Sequence, residues 1–266
     1  MIDNPRSPRV RGVAKLAKRD ARVQTGLFLL EGPQAVSEAL TYRPELLIEL
    51  FATPTALERH PLIAEKAAEV DLEIEFVSED VLDSMADTVT PQGIIGVCRQ
   101  FPTSLKDILN DGPKLLAVLE EVRDPGNAGT IIRAADAAGA DGVVFTGRSV
   151  DLYNPKVVRA TTGSLFHLPV ALAVDLETVL DRVRGAGMQV LAADVKGGDL
   201  LEARNSGLLA GPTAWLFGNE ARGLSDEHFA LADRAVMVPI YGHAESMNLA
   251  TAASVCLYET AFAQRS

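Results

Sequence analysis

The stretch Leu115–Gly147, LLAVLEEVRDPGNAGTIIRAADAAGADGVVFTG, decides the fold of this chain. Its apolar start, Leu115–Leu119, predicts a buried strand, and a loop containing a Pro-Gly pair follows. Asn127 is placed to cap a helix of small apolar residues, which Gly139 would end. Residues 142–145 then predict a second buried strand. A strand–loop–helix–strand unit of this kind indicates a parallel α/β sheet.

One charged residue stands out in this predicted helix. Arg133 comes in the second turn, among residues that are otherwise small and apolar. A guanidinium group in apolar surroundings loses hydration unless something pairs with it. The loop before the helix also lies where open α/β sheets bind ligands, beyond the carboxyl ends of the strands. A site residue and a surface arginine on an amphipathic helix both explain the pattern.

Length, net charge and cysteine content limit the class of protein to which this chain can belong. A length of 266 residues allows one or two domains, and a net charge of −11 argues against general affinity for nucleic acid, although a local basic surface stays possible. Cys98 and Cys256 are far apart and predict buried free thiols in a reducing cytoplasm. No apolar run reaches membrane-spanning length, the amino terminus lacks an apolar signal core, and we expect no metal site because the four histidines lack ligand spacing.

The amino-terminal residues 1–22 are basic, against the overall charge, and we predict a helix near Val13–Val23. A basic arm on an acidic protein favours contact with nucleic-acid phosphates, although a solvated helix face is the simpler alternative. The candidate phosphate contacts in this arm are Arg9, Arg11, Lys15, Lys18 and Arg22.

Helix and strand patterns alternate through residues 1–100, and prolines and glycine follow within 99–113. We therefore predict a small α/β domain over 1–105 and a second domain over 106–266. In the second domain, Asn154-Pro155 predicts a helix start. Lys156 and Arg159 are three apart and share a face of that helix, so they form another candidate basic cluster, with a solvated face as the alternative.

Two more polar loops follow buried strands, Gly218–Leu224 after the strand that ends at Phe217 and Pro239–Asn248 after Val236–Val238. The second loop leads into a predicted helix, Leu249–Ala263, that Ser246 or Asn248 is able to cap. We expect these loops and the one before the Arg133 helix to meet at one sheet edge. Backbone amides, an arginine, a glutamate, a serine and an asparagine suit an uncharged or zwitterionic cofactor and a phosphate-bearing substrate.

Other motifs are weaker. The glycine string Gly185–Val190 follows a helix and precedes a strand, the reverse of a dinucleotide loop, which disfavours a nucleotide-dependent oxidoreductase. Lys196–Asp199 predicts a turn. A Ser-His-Asp arrangement using Ser246 and His243 stays open but has no nucleophile-elbow context.

Three ordered motifs resemble those of the SpoU (TrmH-like) RNA 2′-O-ribose methyltransferases. They are Asn127-x-Gly129-x-x-x-Arg133, Phe217-Gly218-Asn219-Glu220-x-x-Gly223-Leu224, and Val238-Pro239-x-x-Gly242 through Ser246-Met247-Asn248. The segments Asn154–Ala160 and Phe28–Gly32 are also similar to the family, so the resemblance spans nearly the whole chain. The sequence is most similar to the two-domain ribosomal-RNA branch, which includes the thiostrepton-resistance type. One mild departure is Met247-Asn248-Leu249-Ala250, where many relatives have leucine, asparagine and valine.

The resemblance implies a fold and an activity. It implies a small ribosomal-protein-like α/β RNA-binding domain at the amino terminus and an α/β trefoil-knot (SPOUT) methyltransferase domain at the carboxyl terminus, working as a cytoplasmic homodimer. It also implies S-adenosylmethionine as methyl donor and 23S ribosomal RNA as substrate. Transfer RNA as substrate, or a catalytically silent RNA-binding protein of the same fold, are the alternatives.

The resemblance also assigns residues by position. It implies donor contacts through Leu216, Gly218, Val238, Ile240, Met247 and Leu249. It implies catalytic roles for Arg133, Asn127, Glu220, Ser246 and Asn248. The family proposes the arginine as general base, but a guanidinium group stays protonated. Two roles for Arg133 therefore stay open: general base, or binding of the adjacent phosphate with polarisation of the ribose hydroxyl. In either role, Glu220 would orient Arg133 by a paired contact.

Overall fold

The computed structural model describes residues 1–265, which form two compact units. The first unit comprises Met1–Phe101 and Asp151–His167, and the second comprises Pro102–Val150 and Leu168–Ser266. The segment Asp151–His167, which the sequence pattern assigned to the 106–266 domain, thus packs with the first unit.

The first unit is a four-stranded mixed sheet with helices around it. Its strands run in the order β1-β4-β2-β3, with β4 antiparallel to β1 and β2, and β3 parallel to β2. The strands are β1 Leu27–Glu31, β2 Leu47–Ala52, β3 Ile74–Phe76 and β4 Ile94–Arg99. The helices are α1 Pro8–Lys15, α2 Arg19–Thr25, α3 Pro33–Tyr42, α4 Pro54–Arg59, α5 Pro61–Glu69, α6 Glu79–Met85 and α9 Pro155–Thr161.

The amino-terminal helix differs from its prediction over Val13–Val23. It divides into α1 and α2, because the chain becomes extended at Lys18. Ser7 caps α1 through its side chain, and Val10 and Val13 are buried against the unit's core. At the start of α9, Asn154 is the cap and accepts from the Lys156 amide, which confirms the predicted helix start.

The second unit is built on a six-stranded, all-parallel sheet in the order β10-β8-β9-β5-β6-β7, which confirms the parallel α/β prediction. Its strands are β5 Leu115–Glu120, β6 Gly142–Thr146, β7 Val170–Leu172, β8 Gln189–Asp199, β9 Thr213–Phe217 and β10 Arg234–Met237. Its helices are α7 Leu105–Asn110, α8 Pro125–Ala138, α10 Leu176–Gly185, α11 Leu200–Asn205, α12 Asp226–Ala230 and α13 Leu249–Arg265.

The start of α8 differs from its prediction. Asp124, not Asn127, is the cap: its side chain accepts from the Asn127 amide, and Pro125 occupies the first helical position. Proline fits there because the first amides of a helix have no partner inside the helix. Gly139 ends the helix in the left-handed conformation, as predicted. The shift leaves the Asn127 side chain available for another contact.

The central strands β5, β6 and β9 are buried along their whole length, as expected for a sheet covered on both faces. Trp215 lies in β9, and its indole nitrogen donates to the Thr260 hydroxyl of α13 at 2.9 Å. Cys98 and Cys256 are both buried and unpaired, which confirms the prediction of free thiols. Burial raises the pKa of the Cys256 thiol to about 12.

Candidate active site

A cavity of about 390 Å³ lies at the carboxyl edge of the parallel sheet in the second unit. Its volume is within the ~300–1,000 Å³ usual for sites of small molecules and cofactors. Val238, Ile240, Met247 and Leu249, four of the six residues assigned to the donor, line it. Leu216 is packed in the apolar core of the sheet instead, so its side chain does not face the cavity.

One wall of the cavity comes from an irregular pairing of β8 with β10. Ala235 pairs with Ala192, but the next residue, Val236, pairs with Gly198. The β8 residues between those pairs are displaced from the ladder, and Ala193–Lys196 line the cavity. The predicted turn at Lys196–Asp199 is therefore wrong, since these residues belong to β8. A Cβ at Gly197 would lie 2.4 Å from the Val236 amide nitrogen, so the glycine permits the close approach of the two backbones.

A second wall is the tight loop after β9. Asn219 and Gly223 exchange two backbone hydrogen bonds, and the Asn219 side chain accepts from the amides of Ala221 and Arg222. Gly218 does not line the cavity, but a Cβ there would lie 2.5 Å from the backbone carbon of Gly223. The role of Gly218 in this structure is therefore to let the loop close.

The third wall is the loop between β10 and α13. Among residues 1–265, the backbone groups of residues 240–247 have no hydrogen-bond partner, although Ile240, Ser246 and Met247 line the cavity. Unpaired amides and carbonyls beside apolar side chains fit an adenosine-type ligand with a zwitterionic end. S-adenosylmethionine belongs to that class, so these residues suit it as donor.

Glu220 lines the same cavity but has a different partner from the one predicted. Its carboxylate accepts from the backbone amides of Asp124, at 2.8 Å, and Arg123, at 3.1 Å. Asn219 also donates to it, at 3.3 Å. The predicted pairing with Arg133 is absent from the described residues. Glu220 instead holds the loop before α8 against the loop after β9.

Asn127 of the first motif and Asn248 of the third motif meet within one chain, a contact that the sequence did not predict. The Asn248 amide donates to the Asn127 side-chain oxygen at 2.9 Å, and the Asn248 oxygen accepts from the Thr251 amide at the start of α13. Ser246 lines the cavity nearby and does not cap the helix. The three predicted loops therefore converge.

Arg133 is the exception. It is exposed on α8, it does not line the cavity, and it makes no hydrogen bond or ion pair with the described residues. Six residues of α-helix separate it from Asn127, which is about 9 Å along the helix axis and about 240° around it. One chain therefore assembles the cavity and the asparagine pair without this arginine.

Three of the predicted phosphate contacts are neutralised within the first unit. Arg9 forms ion pairs with Glu49 and Glu75, both at 2.8 Å. Arg159 pairs with Glu31 at 2.6 Å and with Asp87 at 2.9 Å. Each of these guanidinium groups already has two carboxylate partners in the first unit, and their role as phosphate contacts stays a prediction.

Arg22 is also paired within the first unit, and it is buried. It is only 2% exposed, it pairs with Asp151 at 2.6 Å, and it donates to the carbonyls of Leu16 and Ala17. It therefore ties the end of α1 to the segment before α9 inside the first unit. The remaining candidates, Arg11, Lys15, Lys18 and Lys156, are exposed and have no side-chain partner among the described residues.

Sequence reasoning missed the β8 wall and the binding of the loop amides by Glu220. The pair Gly197-Gly198 was the available signal for close backbone approach. Within residues 1–265, no helix is long and apolar enough to cross a membrane, and no group of three acidic, cysteine or histidine residues is placed to hold a metal ion.

Comparison with known proteins agrees with this architecture. Residues 114–258 match the SpoU rRNA Methylase family, and residues 29–104 match the family described as RNA 2′-O ribose methyltransferase substrate binding. The chain is 31% identical to the Bacillus subtilis 23S rRNA (guanosine(2553)-2′-O)-methyltransferase RlmP, over 97% of both chains.

Two solved structures are similar over almost the whole chain. An AdoMet-bound rRNA methyltransferase from Sinorhizobium meliloti superposes with a TM-score of 0.84 at 32% identity, covering 97% of this chain and 96% of that one. The SpoU methyltransferase AviRb from Streptomyces viridochromogenes, in complex with AdoMet, also gives 0.84, at 31% identity, covering 97% and 99%. With its two-domain α/β fold, this chain belongs to the SpoU rRNA methylase family.

Proposed function

We propose that this chain transfers a methyl group from S-adenosylmethionine to a ribose 2′-hydroxyl of 23S ribosomal RNA. The observation that carries the proposal is the cavity at the carboxyl edge of the sheet, which the second and third family motifs line with unpaired backbone groups. The first motif joins the third through the Asn127–Asn248 hydrogen bond. Relatives of nearly equal length are named for this reaction. We propose residues 1–105 as the RNA-binding domain and 106–266 as the catalytic domain, containing the trefoil knot of the family.

Bound S-adenosylmethionine supplies an electrophilic methyl group, and the residues of this chain position both reactants. We propose that Val238, Ile240, Met247 and Leu249 hold the donor, since they line the cavity. A ribose hydroxyl is a weak nucleophile, so alignment with the methyl carbon supplies much of the rate.

Four polar residues of the motifs have separate proposed roles. The Asn127–Asn248 pair fixes the start of α8 relative to the start of α13, because its hydrogen bond joins the two. Ser246 lines the cavity on the loop before α13, its hydroxyl has no hydrogen-bond partner among the described residues, and it would donate to the ribose. Glu220 is a positioning residue that keeps the loop before α8 at the cavity.

Arg133 is proposed to act in a homodimer. It lies on the exposed side of α8, and the neighbouring α13 exposes Tyr258 and Phe262, whose rings are 5.6 Å apart. The Tyr258 hydroxyl donates to the Ala137 carbonyl, which joins the two helices into one surface. A second copy packed on this surface would bring Arg133, which has no partner among the described residues of one chain, toward the cavity of the other copy. There it would bind the phosphate beside the target and donate to the ribose oxygen.

Methyl transfer tests the proposal directly. The chain is incubated with tritium-labelled S-adenosylmethionine and separate transcripts of 23S rRNA and transfer RNA, and ribose methylation is mapped on the labelled product. We expect label on a ribose oxygen of 23S rRNA. Label on transfer RNA alone would favour the second substrate. A chain that binds RNA but shows no donor binding by calorimetry would be a silent RNA-binding protein.

Complementation tests the shared site. Arg133→Ala and a donor-site variant, Gly218→Val, are each expected to lose methyl transfer. When the two are co-expressed, mixed dimers should restore about a quarter of the active sites, because each mixed dimer keeps one intact combination. Continued inactivity of mixed dimers that form normally would mean that Arg133 serves the cavity of its own chain.

We also propose a cytoplasmic location, supported by two buried thiols that form no disulfide.

A further inference from the structure

An arginine cluster surrounds Glu121 at the end of β5, beside the cavity. Arg222, which lines the cavity, pairs with Glu121 at 2.8 Å, Arg123 approaches the same carboxylate at 3.5 Å, and Arg148 approaches it at 3.9 Å. The three arginine side chains are 66%, 52% and 88% exposed, whereas that of Glu121 is 24% exposed. One carboxylate is therefore the counter-ion of three solvent-exposed guanidinium groups.

The backbone holds this arrangement at a conformational cost. Glu121 has a φ of +51°, a left-handed conformation that L-residues with side chains rarely adopt. Its carbonyl accepts from the Asn219 side chain at 2.8 Å, and its amide donates to the Thr146 carbonyl. These bonds fix Glu121 between the ends of β5, β6 and β9, from which the three arginines come.

Two other carboxylates on these loops accept hydrogen bonds from backbone amides. Glu220 accepts from the amides of Arg123 and Asp124, and Asp124 accepts from the Asn127 amide at the start of α8. The positive ends of backbone dipoles thus stabilise both anions. By contrast, Arg9 and Arg159 of the first unit each have two carboxylate partners, so their charge is fully compensated.

We infer that Arg123, Arg148 and Arg222 form a docking site for RNA backbone phosphates that flank the target ribose. Guanidinium groups match phosphate oxygens with paired, charge-assisted hydrogen bonds. The site borders the cavity because Arg222 belongs to both. Because the protein as a whole carries a net charge of −11, a local arginine cluster beside the cavity attracts the RNA backbone and orients it there. This inference rests on the proposed function and adds residues to it.

The test compares two double variants that remove the same charge. Arg123→Gln with Arg148→Gln leaves Arg222 as the close partner of Glu121, so no buried anion is orphaned. The control is Arg182→Gln with Arg234→Gln. Both control residues are exposed, and their side chains make no hydrogen bond or ion pair with the described residues. They lie at the end of α10 and the start of β10, toward the opposite edge of the sheet.

Binding to a full-length 23S rRNA transcript is measured by filter retention between 50 and 200 mM salt, together with methyl-transfer kinetics. For Arg123→Gln with Arg148→Gln, we expect affinity at low salt to fall roughly tenfold per arginine. The slope of log affinity against log salt should become shallower by about 1–2. KM for RNA should rise with kcat little changed, and Arg123→Lys with Arg148→Lys should restore the salt slope because it restores the charge.

The outcomes separate this inference from the proposed function. The docking site alone is overturned if the wild-type chain methylates RNA and the double variant Arg123→Gln with Arg148→Gln keeps the wild-type salt slope and the wild-type KM for RNA. Equal losses in the control pair would also overturn it, since the effect would then be general charge. A wild-type chain that transfers no methyl group to any RNA would overturn the proposed function first.

Discussion

Removing the Glu220 carboxylate should loosen the loop before α8, and the effect is measurable without substrate. In Glu220→Ala, the amides of Arg123 and Asp124 lose acceptors at 3.1 and 2.8 Å. A hydrogen bond to a charged group contributes ~1.5–3 kcal/mol to stability. Both bonds are partly solvent-exposed, so water replaces part of each, and we take about 2 kcal/mol for the pair.

Hydrogen exchange of those two amides is the most direct assay. A loss of about 2 kcal/mol corresponds to roughly thirtyfold less protection, since 1.4 kcal/mol is a factor of ten. Urea denaturation should show a matching loss of unfolding free energy, with an unchanged slope against urea concentration. The amide protection and the unfolding free energy of Glu220→Gln should lie between those of the wild type and Glu220→Ala, because the side-chain amide keeps one acceptor oxygen.

Glu227→Gln is the matched control, because Glu227 is exposed on the neighbouring α12 and its side chain makes no hydrogen bond or ion pair with residues 1–265. We expect its exchange pattern to match the wild type. If Glu220→Ala left protection of the two amides unchanged, Glu220 would not be the residue that holds this loop, and a direct contact with substrate would have to explain its place in the motif.

Three further predictions concern the second unit and the buried thiols. Thr260→Val should cost about 1–3 kcal/mol of unfolding free energy in urea, because the buried Trp215 indole N–H loses its acceptor. Trp215→Phe removes that N–H but leaves a cavity, so the double variant should lose less stability than the sum of the two single losses. Additive losses, or no change in Thr260→Val, would refute this account. Gly218→Ala should weaken donor binding at least tenfold, as measured by calorimetry, because the new Cβ would lie 2.5 Å from the Gly223 backbone. Its far-ultraviolet circular dichroism spectrum should stay unaltered. Wild-type affinity for the donor would show that the loop closes without a glycine. The free energy of unfolding should fall as pH rises above about 9, because the Cys256 thiol has the ordinary cysteine pKa of 9.0 in the unfolded chain, whereas burial raises its pKa to about 12 in the folded chain. Cys256→Ala should flatten that decline. An equally steep decline in Cys256→Ala would assign the pH dependence to other groups.

Strand and helix positions followed closely from the sequence where hydrophobic patterns were strong. The run Leu115–Leu119 became β5, and Gly139 ended α8 as expected, because a fully buried strand needs a continuous apolar segment and a left-handed helix end favours glycine. The pattern failed at Lys196–Asp199. Glycines normally mark a turn, but there they let β8 pass close to β10.

Charge was the least predictable feature. Arg9, Arg22 and Arg159 had the sequence pattern of phosphate contacts, yet each lies against a carboxylate distant in the chain, such as Asp151 for Arg22. Ion pairing depends on which side chains the fold brings within about 4 Å, and local sequence carries no record of that. The three arginines around Glu121 come from three separate loops for the same reason.

The sequence by itself determined the parallel α/β class and the order of the three motifs, because hydrophobic periodicity and turn residues act locally. Only the tertiary structure decided that Glu220 binds loop amides and that β8 opens one wall of the cavity. It also left Arg133 without a partner among the described residues of one chain. Those outcomes depend on distances between residues far apart in the sequence, which only the folded chain defines.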